Sequence, residues 1–203
     1  MNNHFFIDKF EEKLSKFTGA PYVVLTDSCT NALFLCLELR NRKQLEREVL
    51  TIPTRTYVSV PQAIQNAGYD FELDRIHWNG NYQLKPFPIY DYAVGFKEDM
   101  YQEGTYQCLS FQQKKAIPIG KGGAILLDNY DDYLYLKRMS WDGRDASIPV
   151  NDDINNIIRG YHMNMTPEMA AKGTLLLNQY SFNIMDIGTS NDYPSLISYS
   201  GSD

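Results

Sequence analysis

The sequence has little basic charge, few cysteines and few histidines. Lys and Arg number 19 against 25 Asp and Glu, a formal net charge of -6, so nucleic acid is not an expected partner. The 3 cysteines form no CxxC pair and the 3 histidines are scattered, so neither a metal site nor a redox motif is expected. No apolar run approaches ~20 residues, and the N-terminus has no secretory core. We therefore expect a cytoplasmic protein without membrane contact.

Apolar residues, by contrast, make up 43% of the 203 residues, enough for one sizeable domain. Apolar spacing predicts helices near residues 6–17, 31–40, 58–67, 131–139 and 167–180. Short apolar runs predict strands near 22–25, 49–52, 69–73, 88–90, 106–111 and 124–127. This alternation predicts an α/β fold, with a mainly parallel sheet sandwiched by helices. The composition predicts one domain over residues 1–180 and a short irregular tail over 181–203.

The segment Thr26-Asp-Ser-Cys-Thr-Asn-Ala-Leu33 follows a predicted strand and opens a predicted helix. Hydroxyl side chains and free backbone N–H groups meet at such a turn, and the helix dipole adds positive potential. The turn around Ser28, Cys29 and Thr30 is therefore a candidate phosphate cradle. Ordinary helix capping is the alternative reading of the same residues.

Three further loops carry candidate functional side chains. Tyr57, after the second strand, could stack on a flat heteroaromatic ring or simply pack. Asp91 ends a strand, where a carboxylate points into the crevice of an open α/β sheet or caps a helix. Lys115 lies between Ser110 and the glycine-rich stretch Gly120-Lys-Gly-Gly123, and a lysine held there could form a Schiff base with a carbonyl.

The order and spacing of these segments resemble the DegT/DnrJ/EryC1/StrS family of pyridoxal 5′-phosphate (PLP)-dependent sugar aminotransferases. Asp27-Ser-Cys-Thr-Asn-Ala-Leu33 resembles the family's phosphate turn, and Pro53-Thr-Arg-Thr-Tyr57 resembles its Pro-x-x-Thr-aromatic segment. Ser110-Phe-Gln-Gln-Lys-Lys115 resembles its Ser-Phe-His-x-x-Lys motif, and Gly160-Tyr-His-Met-Asn-Met165 resembles a later signature. The resemblance covers about residues 6–180.

The resemblance implies a role for each candidate residue. Lys115 would bind PLP as a Schiff base and shuttle a proton, and Asp91 would bond the pyridinium nitrogen, so these two are the expected catalytic residues. Tyr57 would stack on the ring. The remaining expected cofactor contacts are the phosphate ligands and two residues of the later signature: Ser28, Cys29, Thr30, Ser110, His162 and Asn164.

The sequence also departs from the family pattern. Cys29 replaces the glycine of the phosphate turn, and Val94 stands where the family has His or Gln three residues after the Asp. Gln112 replaces the His of Ser-Phe-His. His162 and Asn164 replace an Asn and an Arg in a segment that commonly reaches the partner subunit's site.

By resemblance, the fold would be the large domain of a fold-type I PLP-dependent transferase, with the C-terminal small domain largely absent. The implied function is transfer of an amino group, from glutamate, to a nucleotide-linked keto sugar by a homodimer. One alternative is a PLP-binding protein with weak or no transamination, acting as a regulatory or partner-dependent subunit. The other is a PLP-dependent sugar dehydratase, although related dehydratases have His in place of the lysine that Lys115 retains.

Overall fold

The computed structural model describes residues 4–43, 48–180 and 188–198. Its helices are α1 (His4–Thr18), α2 (Cys29–Arg42), α3 (Ser59–Asn66), α4 (Tyr130–Ser140), α5 (Val150–Asp153) and α6 (Pro167–Asn178). Its strands are β1 (Tyr22–Thr26), β2 (Leu50–Pro53), β3 (Phe71–Asp74), β4 (Tyr82–Gln83), β5 (Ile89–Tyr92), β6 (Tyr106–Ser110) and β7 (Gly123–Leu127). Among the described residues, no helix is long and apolar enough to span a membrane.

Side-chain caps set where several helices begin. The Ser28 side chain accepts a hydrogen bond from the backbone N–H of Asn31 at the start of α2. Asn129 caps α4 in the same way. Thr166 caps α6, whose first residue is Pro167. Since these residue types satisfy N–H groups that the helix itself leaves free, the predicted helix starts fall within two residues of the observed ones.

The sheet is mixed, which corrects the prediction of a mainly parallel sheet. Five strands lie in the order β1-β7-β6-β5-β4, and β2 and β3 form a second, parallel pair. In the larger sheet, β5 and β6 are the one pair of neighbouring strands that run parallel. Strand β7 pairs antiparallel with both β1 and β6, and the short β4 pairs antiparallel with β5. The carboxyl ends of β1, β5 and β6 nevertheless meet at one edge.

Two apolar cores cover the two faces of the sheet. Along the fully buried β7, Ile125 and Leu127 point into the core that α2 and α3 cover. Ala124 and Leu126 point into the opposite core, which α1 and α6 cover. A strand buried on both faces must be apolar at every position, which is why its sequence is a continuous apolar run.

Residues 188–198, which we call the strap, lie against the loops after β2 and β3. The backbone N–H of Leu196 donates to the Thr54 carbonyl (2.7 Å), and that of Gly80 donates to the Gly188 carbonyl (2.8 Å). The Ser190 N–H donates to the Trp78 carbonyl (3.1 Å). The proposed division of the chain after residue 180 stays a prediction, and residues 181–187 and 199–203 of the predicted tail lie outside the described residues.

Candidate active site

The candidate site lies at the edge of the sheet where β1, β5 and β6 end. Asp91 lies near the end of β5, and Ser110 ends β6. The turn that opens α2 follows β1 directly. Because the carboxyl ends of strands with the same direction share one edge, residues distant in sequence meet here.

Asp91 is a buried carboxylate, with 6% of its surface exposed. Its Oδ1 accepts a hydrogen bond from the Ala93 backbone N–H at 2.8 Å, and its Oδ2 accepts one from the Tyr82 hydroxyl at 2.7 Å. Burial raises the pKa of Asp91, against the lowering effect of the Tyr82 and Ala93 hydrogen bonds and of the positive charge of Lys115. The charged form of this group is therefore stabilised by a small set of donors inside the protein.

Lys115 lies in the turn after β6, where its backbone N–H donates to the Gln112 carbonyl at 2.9 Å. The side chain is half-buried, and its charge acts on both Asp91 and Cys29. Among the described residues no hydrogen bond or ion pair holds its Nζ. The neighbouring lysines differ, since Lys114 is exposed and Lys121 pairs with Asp27 at 3.2 Å. Of these three lysines, Lys115 is the one that is half-buried and whose charge acts on Asp91, although it does not line the cavity beside that residue.

A small cavity of about 20 Å³, room for about one water molecule, opens beside Asp91. It is lined by Thr56, Tyr57, Trp78, Tyr82, Asp91, Ala93, Val94 and Tyr193. Tyr57 is 61% exposed, so its ring is accessible to a ligand. The aromatic side chains and the buried carboxylate have the chemistry to contact a flat heteroaromatic ring that carries a protonated nitrogen, but the cavity as it stands is too small to enclose one.

The predicted phosphate residues lie close together at the start of α2. The Thr30 hydroxyl shares a hydrogen bond with the Ser59 hydroxyl (2.7 Å). Ser110 is paired with Gly123 across β6 and β7, and a Cβ on Gly123 would lie 2.5 Å from the carbonyl carbon of Ser28. Glycine thus lets β7 approach the turn, bringing Ser110 near the helix N-terminus, whose N–H groups can bind an anion.

The side chain of Cys29 points away from the phosphate turn, whose resemblance to the family implies a role for the Cys29 backbone only. Its thiol is buried and points toward Asp91, with Sγ 3.9 Å from Oδ1 and 3.4 Å from the Cys108 carbonyl oxygen. Burial and the nearby Asp91 charge raise the pKa of this thiol well above its usual value. Only the backbone of Cys29 is left to face a phosphate.

The structure separates the two residues of the later signature. Asn164 lies beside the phosphate turn, because it forms a bridge with Thr26. Its buried Oδ1 has no hydrogen-bond partner among the described residues. His162 is exposed, pairs with Asp142 (Nδ1 to Oδ2, 3.1 Å) and does not line the cavity.

Sequence reasoning missed three aromatic residues of the cavity: Trp78, Tyr82 and Tyr193. The Tyr82 hydroxyl bonds to Asp91, while the Trp78 ring contacts the rings of both Tyr82 (5.1 Å) and Tyr193 (5.4 Å). The turn signal Asn79-Gly80 marks a turn just before β4 but does not indicate that β4 pairs with β5. No local pattern marks Tyr193, because its contacts come from the strap.

A family model for the DegT/DnrJ/EryC1/StrS aminotransferase family matches residues 3–73 and 97–185. No curated protein matches significantly.

Similar solved structures include a putative PLP-dependent aminotransferase from Bacillus cereus (19% identity, TM-score 0.70, 88% of this chain and 59% of that chain). A second is the sugar aminotransferase CalS13 from Micromonospora echinospora (18% identity, TM-score 0.68, 86% of this chain and 60% of that chain). A third is GDP-4-keto-6-deoxy-D-mannose-3-dehydratase from E. coli, with bound hydrated PLP (14% identity, TM-score 0.68, 86% of this chain and 60% of that chain). These likenesses confirm the predicted fold class, and the chain spans about 60% of the length of these structures.

Proposed function

Since the chain belongs to the DegT/DnrJ/EryC1/StrS aminotransferase family, we propose that it transfers an amino group, from glutamate, to a nucleotide-linked keto sugar. Family membership and the PLP-dependent relatives support the predicted cofactor, PLP. The observation that carries the proposal is the charge of Lys115, whose amine has no partner among the described residues, acting on the buried carboxylate of Asp91, which lines a small cavity with aromatic walls.

The residues around Asp91 and at the start of α2 supply the chemical groups that PLP needs, and the cavity of about 20 Å³ would have to open to admit its ring. The cavity wall includes Asp91, whose Oδ2 accepts one protein hydrogen bond and retains a lone pair for a second donor. The exposed ring of Tyr57 offers a stacking surface. The phosphate would be held by Ser28, Thr30 and Ser110 with the N–H groups that open α2, which suit an anion.

Each residue would then have a defined task. PLP, when bound, supplies an electron sink for the carbon that carries the amino group. Asp91 would keep the ring nitrogen protonated, since a carboxylate within hydrogen-bonding distance favours the charged form of its partner. Lys115 would hold the cofactor covalently and move a proton to and from the reacting carbon.

Two other outcomes are compatible with the family. Solved dehydratases share the fold, but Lys115 occupies the position at which the related dehydratases carry His, which favours transamination. A protein with weak or no transamination is the second alternative, since the chain spans about 60% of the length of its structural relatives. On that basis we expect the half-reaction with a small amino acid to be faster than that with a bulky nucleotide sugar.

Spectroscopy of the purified chain with PLP tests the proposal. We expect bound PLP to absorb at a wavelength typical of a lysine adduct, and glutamate to convert that band to the band of the amine form. Borohydride reduction and peptide mass mapping should place the adduct on Lys115. Lys115→Ala should abolish both signals, whereas the adjacent, exposed Lys114→Ala should keep them. An adduct on Lys114 or Lys121, or none, would contradict the assignment.

A further inference from the structure

Asp91 is held by a neighbour that the family match does not include. Tyr82 lies directly opposite Asp91 in the β4–β5 pair, and its hydroxyl donates to Oδ2 at 2.7 Å. Both residues fall between positions 73 and 97, outside the residues that the family model matches.

Tyr82 is itself fixed in place. Its side chain is 6% exposed, and its hydroxyl also hydrogen-bonds the hydroxyl of Thr56, which is 1% exposed. The indole of Trp78 packs against the Tyr82 ring, with centroids 5.1 Å apart, and its Nε1 donates to the Arg55 carbonyl at 2.8 Å. A buried hydroxyl with two fixed partners cannot turn away from Asp91 without leaving a polar atom unpaired.

The other groups around Asp91 cannot replace Tyr82. The backbone N–H of Ala93 binds Oδ1, and the thiol of Cys29 lies on the same oxygen at 3.9 Å. Cys108 lies opposite Asp91 on β6, and it and Lys115 interact with Asp91 electrostatically, without a hydrogen bond to it. Among the described residues, Tyr82 is the one side chain that donates a hydrogen bond to Oδ2.

We infer that Tyr82, anchored by Thr56, is a positioning residue for Asp91: its hydrogen bond to Oδ2 holds the carboxylate in place at the cavity wall and stabilises its charged form. Burial alone would favour a neutral carboxyl, which has no charge to stabilise a protonated ring nitrogen. The orienting role is independent of any ligand. Only its consequence for PLP binding rests on the proposed function.

Site-specific ¹³C NMR titration of the Asp91 carboxyl, in the protein without PLP, tests the inference directly. In Tyr82→Phe we expect the titration midpoint of Asp91 to move to higher pH, because a donor to the charged form is lost. Tyr92→Phe is the matched control. Tyr92 is the next residue of β5, is also buried, and packs into the opposite core. Its loss should leave the midpoint unchanged.

PLP affinity gives the second readout. We expect Tyr82→Phe to weaken PLP binding by about tenfold, the size of one lost hydrogen bond, and Tyr92→Phe to bind like the parent. An unchanged Asp91 midpoint in Tyr82→Phe overturns the inference, whatever happens to PLP. A parent chain that does not bind PLP contradicts the proposed function, while the NMR result still decides the role of Tyr82.

Thr56 provides an independent variant if Tyr82→Phe does not fold. Thr56→Val removes the anchor and should move the Asp91 midpoint in the same direction by a smaller amount, and Thr56→Ser, which keeps the hydroxyl, should restore it. A midpoint that Thr56→Val leaves unchanged would then refute the anchored arrangement. Thermal melts of each variant establish that the compared proteins are folded.

Discussion

At the scale of single residues, Asp91 combines a proposed catalytic role with a cost in stability. It is buried, and the three donors around it do not fully offset that burial, so the pKa of its carboxyl is raised by the loss of hydration. A carboxylate used for chemistry at a buried position commonly lowers stability in this way. Burial would strengthen the attraction between the Asp91 carboxylate and a protonated ring nitrogen of a bound cofactor. The same burial disfavours the ionised carboxylate when no cofactor is bound.

The pH dependence of stability follows from the sign of that shift. The folded protein binds the proton of the Asp91 carboxyl more tightly than the unfolded chain does. The stabilising contribution of protonated Asp91 to folding is therefore fully present below the ordinary pKa of 3.8. It is lost as the pH rises through the raised value. Asp91→Asn, which cannot ionise, should therefore melt at a higher temperature than the parent at neutral pH, by about 2–4 °C per kcal/mol.

Thermal melts without PLP across a pH series measure this effect. The advantage of Asp91→Asn should shrink and vanish as the pH falls below about 4, the ordinary range of an aspartate. Asp70→Asn, at an exposed aspartate, should follow the parent at every pH. A lower melting temperature for Asp91→Asn at neutral pH would show that the hydrogen bonds of the carboxylate outweigh its desolvation.

At the scale of elements, the β4 hairpin and the strap together build one wall of the cavity. Both lie outside the residues that the family model matches. They meet through the Trp78 and Tyr193 rings, 5.4 Å apart, and through the hydrogen bond from Gly80 to Gly188. Arg55 Nη1 also donates to the Tyr193 carbonyl at 2.9 Å. The strap is thus part of the site and not an appendage to it.

Removing the Tyr193 ring should open this wall. Tyr193→Ala should lower stability by about 0.5–1.5 kcal/mol through the lost ring pair with Trp78, and should weaken PLP binding because the cavity becomes wetter. Tyr193→Phe keeps the ring and should bind PLP more like the parent. Ile197→Ala, at a strap residue that is 65% exposed, is the control. Fluorescence titration with PLP and denaturant melts measure both effects, and equal PLP affinity in Tyr193→Ala and Ile197→Ala would show that the strap wall is dispensable.

At the scale of the whole molecule, the proposed homodimer would complete the site. Two-fold dimers are the most common assembly of soluble proteins, and the family resemblance places the cofactor near a subunit interface. Several large apolar side chains are exposed close together in sequence, at Ile148, Val150, Ile154 and Ile157. Exposed apolar surface of this kind favours association.

Light scattering at micromolar concentration, with PLP present, should therefore give twice the mass of one chain. A dilution series provides the control, because a specific dimer dissociates to a single smaller species on dilution. A monomer at every concentration would refute the dimer. A mass that grows without limit as the concentration rises would indicate non-specific association instead.

The sequence by itself determined the elements and the order of the chemical groups. Cap residues such as Ser28 and Thr166, and apolar spacing, act within a few residues, so all helices except the four-residue α5, and most strands, could be located without tertiary information. Motif order likewise selected Lys115, Asp91 and Ser110, which lie at one edge of the sheet, and named the family. The sequence did not predict that His162 lies away from the cavity. It also does not establish the roles of these residues, which stay proposals.

Only the tertiary structure decided which groups surround Asp91. The two-residue strand β4 is too short to show a period, and its pairing with β5 is a matter of register, so nothing local predicts that Tyr82 faces Asp91. The mixed sheet could not be predicted for the same reason, because the direction in which a strand pairs depends on packing between distant segments. Tyr193 reaches the cavity from about 100 residues away along the chain, through contacts that no sequence period encodes.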